Sequence, residues 1–279
     1  MSTAPKQTPR EPQETDLLVP FEIQNIPADY REYYRVKRHN LFASIQGFRD
    51  MWDYYLALDK IWLREFADLK PMRDANRMFP LMLYINAHAK IRVALELAFS
   101  GCLAEARSIL RDAVESVAHG HAMVVDAELQ KTWLSKNDDK AALEAFKDAF
   151  ERHKKEGLFK GLDELYKNWG QLAETGSHTT INALCDRFVS INSETEIEFR
   201  LNYSGAEPKA WSMQLFWMLL ACFKMEETFF KDYESRLTLD VELLRMRSEF
   251  EQRKENLRRT LIDRYQIKPP QAQSVILSV

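Results

Sequence analysis

The sequence predicts a mainly α fold, a helical bundle around a central αα-hairpin, with one small β-hairpin inserted late in the chain. Apolar residues recur at intervals of three and four through most of the 279 residues, which is the periodicity of amphipathic helices. The chain contains only eight glycines, and this scarcity disfavours sheet-rich and loop-rich folds. The central hairpin is predicted over residues 80–125, with Pro80 at the first helical position and Gly101 in the turn.

The elements before the hairpin follow from the positions of proline and glycine. Residues 1–20 contain four prolines among polar residues and are predicted to be a disordered tail. A long helical stretch is predicted to begin at Pro27, and Gly47 marks the place where it bends or divides in two. A linker over residues 71–79 then leads into the hairpin.

After the hairpin, further helices are predicted over residues 141–155, 159–174, 211–230 and 237–265. Between the second and third of these the apolar period changes to two, which predicts a strand over 197–203 paired with 188–191. The apolar 211–230 helix needs the earlier helices to cover it, so residues 21–265 are predicted to form a single helical domain. Residues 266–279 are predicted to be a mobile tail.

Composition excludes several classes of protein. The net charge of −3 gives no general reason to bind nucleic acid or an anionic membrane. The three cysteines contain no C-x-x-C pair, which argues against a disulfide framework or zinc ribbon and for a reducing compartment. The most apolar run, Trp211–Phe223, has 13 residues, whereas a membrane span needs about 20. A cytoplasmic protein with no membrane partner is therefore expected.

The second helix of the hairpin contains the most chemically suggestive group of residues. Arg111, Glu115 and His119 are each four residues apart, so they follow one side of the helix between its apolar stripe and solvent. Either Arg111 and Glu115 form a structural ion pair beside an unrelated histidine, or they form a site with a general base and an anion-binding arginine. A corner after Gly176 could aim a further imidazole into the same cleft. The candidate catalytic residues are Arg111, Glu115, His119 and His178.

The other histidines, and the sequence motifs of known metal, phosphate and hydrolase sites, give weaker evidence for a functional site. His88 and His121 lie on apolar stripes and are expected to be core histidines with one hydrogen-bond partner each. A Glu–His pair four residues apart could provide two metal ligands, but the two-histidine pattern of helical zinc sites is missing. The sequence also contains no glycine-rich phosphate loop and no G-x-S-x-G motif. No metal and no cofactor are expected.

A set of short motifs runs through the hairpin and the segment after it: Gly101, Glu105-Ala106, Arg111-x-x-x-Glu115, Trp169, Leu172 and His178. In these motifs, residues 80–185 resemble a family of uncharacterised bacterial helical proteins that is itself similar to HEPN-like domains. The chain departs from the family pattern at Ala173, where the family has serine, and His178 lies slightly late.

The resemblance implies an expectation about function. Many HEPN domains are ribonucleases, toxins or phage-defence effectors, and they often carry an Arg-x4–6-His motif at a dimer interface. That motif is missing here, because seven residues separate Arg111 from His119. The resemblance therefore supports the fold more than a nuclease activity.

Two classes of function stay open at this point. The first is an interaction or regulatory protein that self-associates through exposed aromatic helix faces, and it is slightly preferred. The second is a HEPN-like ribonuclease or nucleotide-binding protein, in phage defence or a toxin system, with RNA as its partner. The most basic stretch, Arg245–Arg264, has seven positive and four negative residues and is expected to be a solvated helix face.

Overall fold

The computed structural model describes residues 27–174, 188–192, 197–201 and 208–267. The predicted tail at 1–20, most of the one at 266–279 and the candidate residue His178 lie outside the described residues. The described part is mainly helical, as predicted. Its α-helices are α1 (Ala28–Gly47), α2 (Arg49–Ala67), α3 (Ala75–Phe99), α4 (Leu103–Val125), α5 (Glu128–Ser135), α6 (Lys140–Phe146), α7 (Asp163–Leu172), α8 (Pro208–Tyr233) and α9 (Val241–Tyr265).

The central hairpin is formed by α3 and α4. Gly101 lies in the turn between them with a φ of 87°, a left-handed conformation that glycine adopts without steric cost. The inward side of α4 is closely packed, and its fully buried residues recur with helical spacing at Ala106, Leu110, Ala113, Val114 and Val117. The predicted hairpin and its glycine turn are therefore confirmed.

The predicted start of the hairpin was wrong. Helix α3 begins at Ala75, because the side chain of Asp74 accepts a hydrogen bond from the backbone N–H of Asn76 at 2.9 Å and caps the helix. Pro80 is therefore the sixth residue of α3, where its missing N–H leaves the carbonyl of Asn76 without its usual helical donor. Residues 75–79 of the predicted linker are helical.

Other boundaries also differ from the sequence-based expectation. Gly47 divides the long N-terminal stretch into α1 and α2, as predicted. The last helix begins at Val241 and not at Leu237, since Asp240 accepts a hydrogen bond from the backbone N–H of Leu243 at 2.8 Å. The predicted 141–155 helix ends as α at Phe146 and continues as a π-helical turn, Lys147–Glu151.

Helix α8 lies deep in the core, as its apolar sequence predicted. Several of its side chains are fully inaccessible to solvent, and they contact α2, α4 and α9. Phe229 of α8 stacks on Trp62 of α2 and packs against Tyr84 of α3, with ring centroids 5.3 and 5.2 Å apart. This aromatic cluster joins the hairpin to the helices on either side of it in the sequence.

A buried charged cluster crosses the same core. Glu65 of α2 and Glu226 of α8 both have fully buried side chains, and both accept a hydrogen bond from the guanidinium of Arg247 of α9. One cation, whose side chain is 19% exposed, therefore faces two fully buried carboxyl groups. Burial of two carboxyl groups beside one cation favours a proton on one of them.

Two short segments are described as strands, β1 (Phe188–Asn192) and β2 (Ile197–Leu201). They pair antiparallel, with Phe188 opposite Leu201 and Asn192 opposite Ile197. Among the helices described, none is both long and apolar enough to span a bilayer.

Candidate functional site

The charged side of α4 faces other parts of the protein. The Oε1 atom of Glu115 accepts three hydrogen bonds: from Trp169 Nε1 of α7 at 2.6 Å, from Lys154 Nζ at 3.3 Å and from Arg111 Nη2 at 3.3 Å. The guanidinium and the ammonium also lie over the indole ring, 5.1 and 4.6 Å from its centroid. Glu115 thus joins α4, the turn after the π-helical segment and α7.

This environment sets the protonation state of Glu115. Burial alone would raise the pKa of its carboxyl group, but the hydrogen bond from Trp169 and the charges of Lys154 and Arg111 outweigh burial and lower it. A carboxylate with a lowered pKa and three donors on one oxygen is a weak proton acceptor. The geometry is that of an ion cluster that holds helices together.

His119, the next predicted residue along α4, lies in an aromatic pocket. Its ring packs against Phe150 at a centroid distance of 4.9 Å and stacks on Phe146 at 6.2 Å. Burial lowers the pKa of His119 to about 4, against the opposing influence of Glu115. Its buried Nδ1 atom makes no hydrogen bond within the part of the chain described.

The structure therefore brings Arg111 and Glu115 into contact and leaves His119 one turn away among phenylalanines. His178 is outside the described residues, so the convergence of all four candidates stays a prediction. The contacts of Glu115 with Lys154 and Trp169 show that other parts of the protein cover this section of the charged side of α4.

His88 is a core histidine with one partner, as predicted. Its Nε2 atom lies 2.9 Å from Oδ1 of Asp59. Arg92 forms two hydrogen bonds of 2.7 Å to the same carboxylate, in place of the pair with Glu96 that their four-residue spacing on one helix would allow. Arg92 reaches Asp59 on α2 because a planar guanidinium binds a carboxylate through two parallel bonds, and Glu96 pairs instead with Lys37 at 3.7 Å.

His121 was also expected to be a core histidine, but that prediction was wrong, because its side chain is 20% exposed and lines a cleft. Its one hydrogen-bond partner among the described residues is Asp232. The Nδ1 atom of His121 lies 3.0 Å from both carboxylate oxygens of Asp232 on α8. The hydroxyl of Tyr84 donates a second hydrogen bond to Asp232, and the pKa of this tyrosine is raised by burial and by the carboxylate. Asp232 therefore connects α3, α4 and α8.

No family model, curated protein or solved structure matches this chain. The resemblance to HEPN-like proteins accordingly rests on the short motifs alone.

A cleft of about 290 Å³ opens beside the His121–Asp232 pair, between α4, the start of α7 and α8. It differs from the surroundings of Glu115 because it is open to solvent and has both polar and apolar walls. Its lining residues are His121, Gly161, Leu162, Asp163, Glu164, Leu165, Lys224, Thr228, Lys231 and Asp232. Among these, only His121 was considered in the sequence, and it was assigned to the core.

The sequence contained one usable signal for this cleft. On α8, Lys224, Thr228 and Lys231 follow at intervals of four and three, a polar stripe on a helix that is otherwise mostly apolar. The partner of His121 is 111 residues away, and no local pattern connects the two. Within the described ranges, no group of three or more His, Cys, Asp or Glu side chains is placed to hold a metal ion.

Proposed function

We propose that the protein is an interaction or regulatory protein that acts through self-association, with a second copy bound at the aromatic face of α1. The observation that carries this proposal is the poor burial of α1. Of its 20 residues only Ser44 is buried. Isolated helices of this length are marginally stable in water, and helices in proteins depend on packing of one face.

The exposed aromatic residues of α1 lie on the side that should be packed. Tyr30, Tyr33 and Tyr34 are 57%, 41% and 50% exposed. By helical geometry they share a face with Leu41 and Ser44, the residues through which the C-terminal half of α1 contacts the core. The N-terminal half of α1 thus continues the packed face beyond the part of the protein that covers it.

Helix α3 presents a second exposed apolar surface. Its outward residues recur at intervals of four, three, four and four: Met78, Met82, Ile85, Ala89 and Val93. The pair between Lys37 and Glu96 places the middle of α1 at the C-terminal end of this stripe. The stripe and the tyrosines are therefore parts of neighbouring surfaces, and a partner could cover both.

The exposed rings of α1 supply part of the area that a stable dimer requires. A buried aromatic side chain contributes roughly 200 Å², so the three half-exposed tyrosine rings offer about 300 Å². A typical stable interface buries about 800 Å² on each partner. The aliphatic stripe of α3 has to supply the remainder, so the proposed interface includes both helices.

The experiment compares the oligomeric state of three full-length proteins by light scattering coupled to size-exclusion chromatography. The wild type is expected to be a dimer at micromolar concentration, and Tyr34→Glu a monomer with unchanged helix content. Leu244→Glu on α9 is the matched control, because Leu244 and Tyr34 are each 50% exposed, and it should remain a dimer. A monomeric wild type, or equal dissociation of both variants, would refute the proposal.

The alternative is a HEPN-like ribonuclease that uses Arg111, Glu115, His119 and His178. It has less support, since Glu115 is held by three donors and His119 lies in an aromatic pocket. An RNA-degradation assay of the wild type, Glu115→Gln and His178→Ala tests it. Equal behaviour of three correctly folded proteins would exclude this activity.

A further inference from the structure

We infer that the cleft between α4, α7 and α8 is a binding site for a small organic oxyanion, either a phosphomonoester or a carboxylate, that also carries hydroxyl groups. The inference is independent of self-association, because none of the lining residues belongs to α1 or α3. It depends on the cleft, on the fixed imidazole of His121 and on the distribution of charge along the walls.

The imidazole of His121 is held in one orientation. Its Nδ1 atom is bound to Asp232, and Asp232 is itself fixed by the hydroxyl of Tyr84. Because Nδ1 is occupied, Nε2 is the ring nitrogen that remains for a ligand, and it donates a hydrogen bond when the ring is protonated. The side chain of His121 is partly exposed and forms part of the cleft wall.

The two lysines on the cleft wall differ in whether a carboxylate is paired with them. Lys224 is neutralised by Glu164 at 2.6 Å and by Glu227 at 2.7 Å. Lys231, one turn before the end of α8, is exposed and forms no ion pair with any residue that the structure describes. Its ammonium group and Nε2 of His121 are therefore the groups on the wall that remain for an anion.

The opposite wall determines the rest of the ligand. Leu162 precedes α7 and provides no side-chain cap, so the first N–H groups of this helix favour negative charge, part of which Asp163 and Glu164 in the first turn already supply. Asp163 is exposed on the same wall and would repel a polyanion, but its carboxylate can accept hydrogen bonds from hydroxyl groups. A compact ligand with one anionic group and several hydroxyls meets both conditions.

The cleft is also of suitable size. Its volume of about 290 Å³ is close to the lower limit of small-molecule sites, which extend from about 300 Å³ upwards. Leu162 and Leu165 supply the apolar part of the wall. His121 and Asp163 both line this volume, which has room for a ligand of a few carbon atoms.

The test follows the ring resonances of His121 by NMR in full-length protein labelled at histidine, with the assignment made from His121→Gln. Three probes share a carbon skeleton: glycerol 3-phosphate, glycerate and uncharged glycerol. We expect a saturable shift of the His121 signals with one or both anions and none with glycerol. A response to glycerol 3-phosphate alone identifies a phosphomonoester site, and a response to glycerate alone identifies a carboxylate site.

Variants separate specific binding from general attraction of anions. Lys231→Gln should weaken binding about tenfold or more, the usual effect of losing a hydrogen bond to a charged group. Lys60→Gln is the control, because Lys60 is exposed on α2 and does not line the cleft, and it should leave binding unchanged. The inference is overturned if no anion shifts His121 saturably, if glycerol acts equally, or if both lysine variants weaken binding alike.

Discussion

The buried cluster of Glu65, Glu226 and Arg247 leads to a quantitative prediction about stability and pH. Burial, together with the neighbouring Glu226, raises the pKa of Glu65 to about 10, although Arg247 opposes this shift. Burial also raises the pKa of Glu226. The folded protein at neutral pH therefore holds one proton on this pair that the unfolded chain, with ordinary glutamates, has released.

The sign and size of the effect follow from proton linkage. A carboxyl group with a raised pKa in the folded state stabilises the fold fully at acidic pH, and this contribution is lost as the pH rises from the ordinary glutamate value towards the folded one. One extra proton in the folded state changes the free energy of unfolding by about 1.4 kcal/mol per pH unit, so the stability that the cluster contributes should fall by about 3 kcal/mol between pH 6 and pH 8.

Glu65→Gln removes the titration and keeps the shape of the side chain. Urea unfolding at pH 6, 7 and 8 should show a stability that falls with pH in the wild type and falls less, by about 3 kcal/mol over the interval, in the variant. The two proteins share every other ionisable group, so the difference between them isolates the cluster. The exposed Glu249→Gln is the control and should follow the wild type. Parallel curves for the wild type and Glu65→Gln would show that the pair holds no extra proton.

Two further predictions concern the central hairpin and the Glu115 cluster. An added Cβ at Gly120 would lie 2.9 Å from the buried ring of Tyr84, so Gly120→Ala should destabilise the protein by about 1–3 kcal/mol in urea unfolding. At Gly47 a Cβ meets no described atom within 4 Å, and Gly47→Ala should instead be neutral or stabilising by up to about 1 kcal/mol; a similar loss in both variants would contradict the packing argument. Trp169→Phe removes the shortest hydrogen bond to Glu115 and should cost about 1–3 kcal/mol, measured in the same way, whereas an unchanged midpoint would show that the ion cluster adds no stability.

The sequence predicted those features that depend on local pattern. The hairpin followed from helical periodicity and from a glycine in its turn, and the depth of α8 followed from its apolar composition. Pro80 was misread as a helix start because a proline inside a helix costs about 3 kcal/mol, and sequence alone does not show that Asp74 caps the helix six residues earlier. In this protein the N-terminal cap and the burial of Pro80 outweighed the unfavourable free energy of a proline inside a helix.

The pairings between distant residues could not be predicted. Asp59 lies 29 residues before His88, and Asp232 lies 111 residues after His121. No periodicity connects a histidine with a carboxylate on another helix, since the contact exists only once the helices have packed. For the same reason the cleft was missed, although the histidine that forms part of its wall was noticed.

The position of α8 in the chain has a consequence for synthesis on the ribosome. The α3–α4 hairpin is complete at Val125, but Phe229, which packs against Tyr84, follows 104 residues later. At translation rates of about 5–20 residues per second, one side of the nascent hairpin stays uncovered for roughly 5–20 s. During that time the apolar surface meant for α8 is available to chaperones and to other nascent chains.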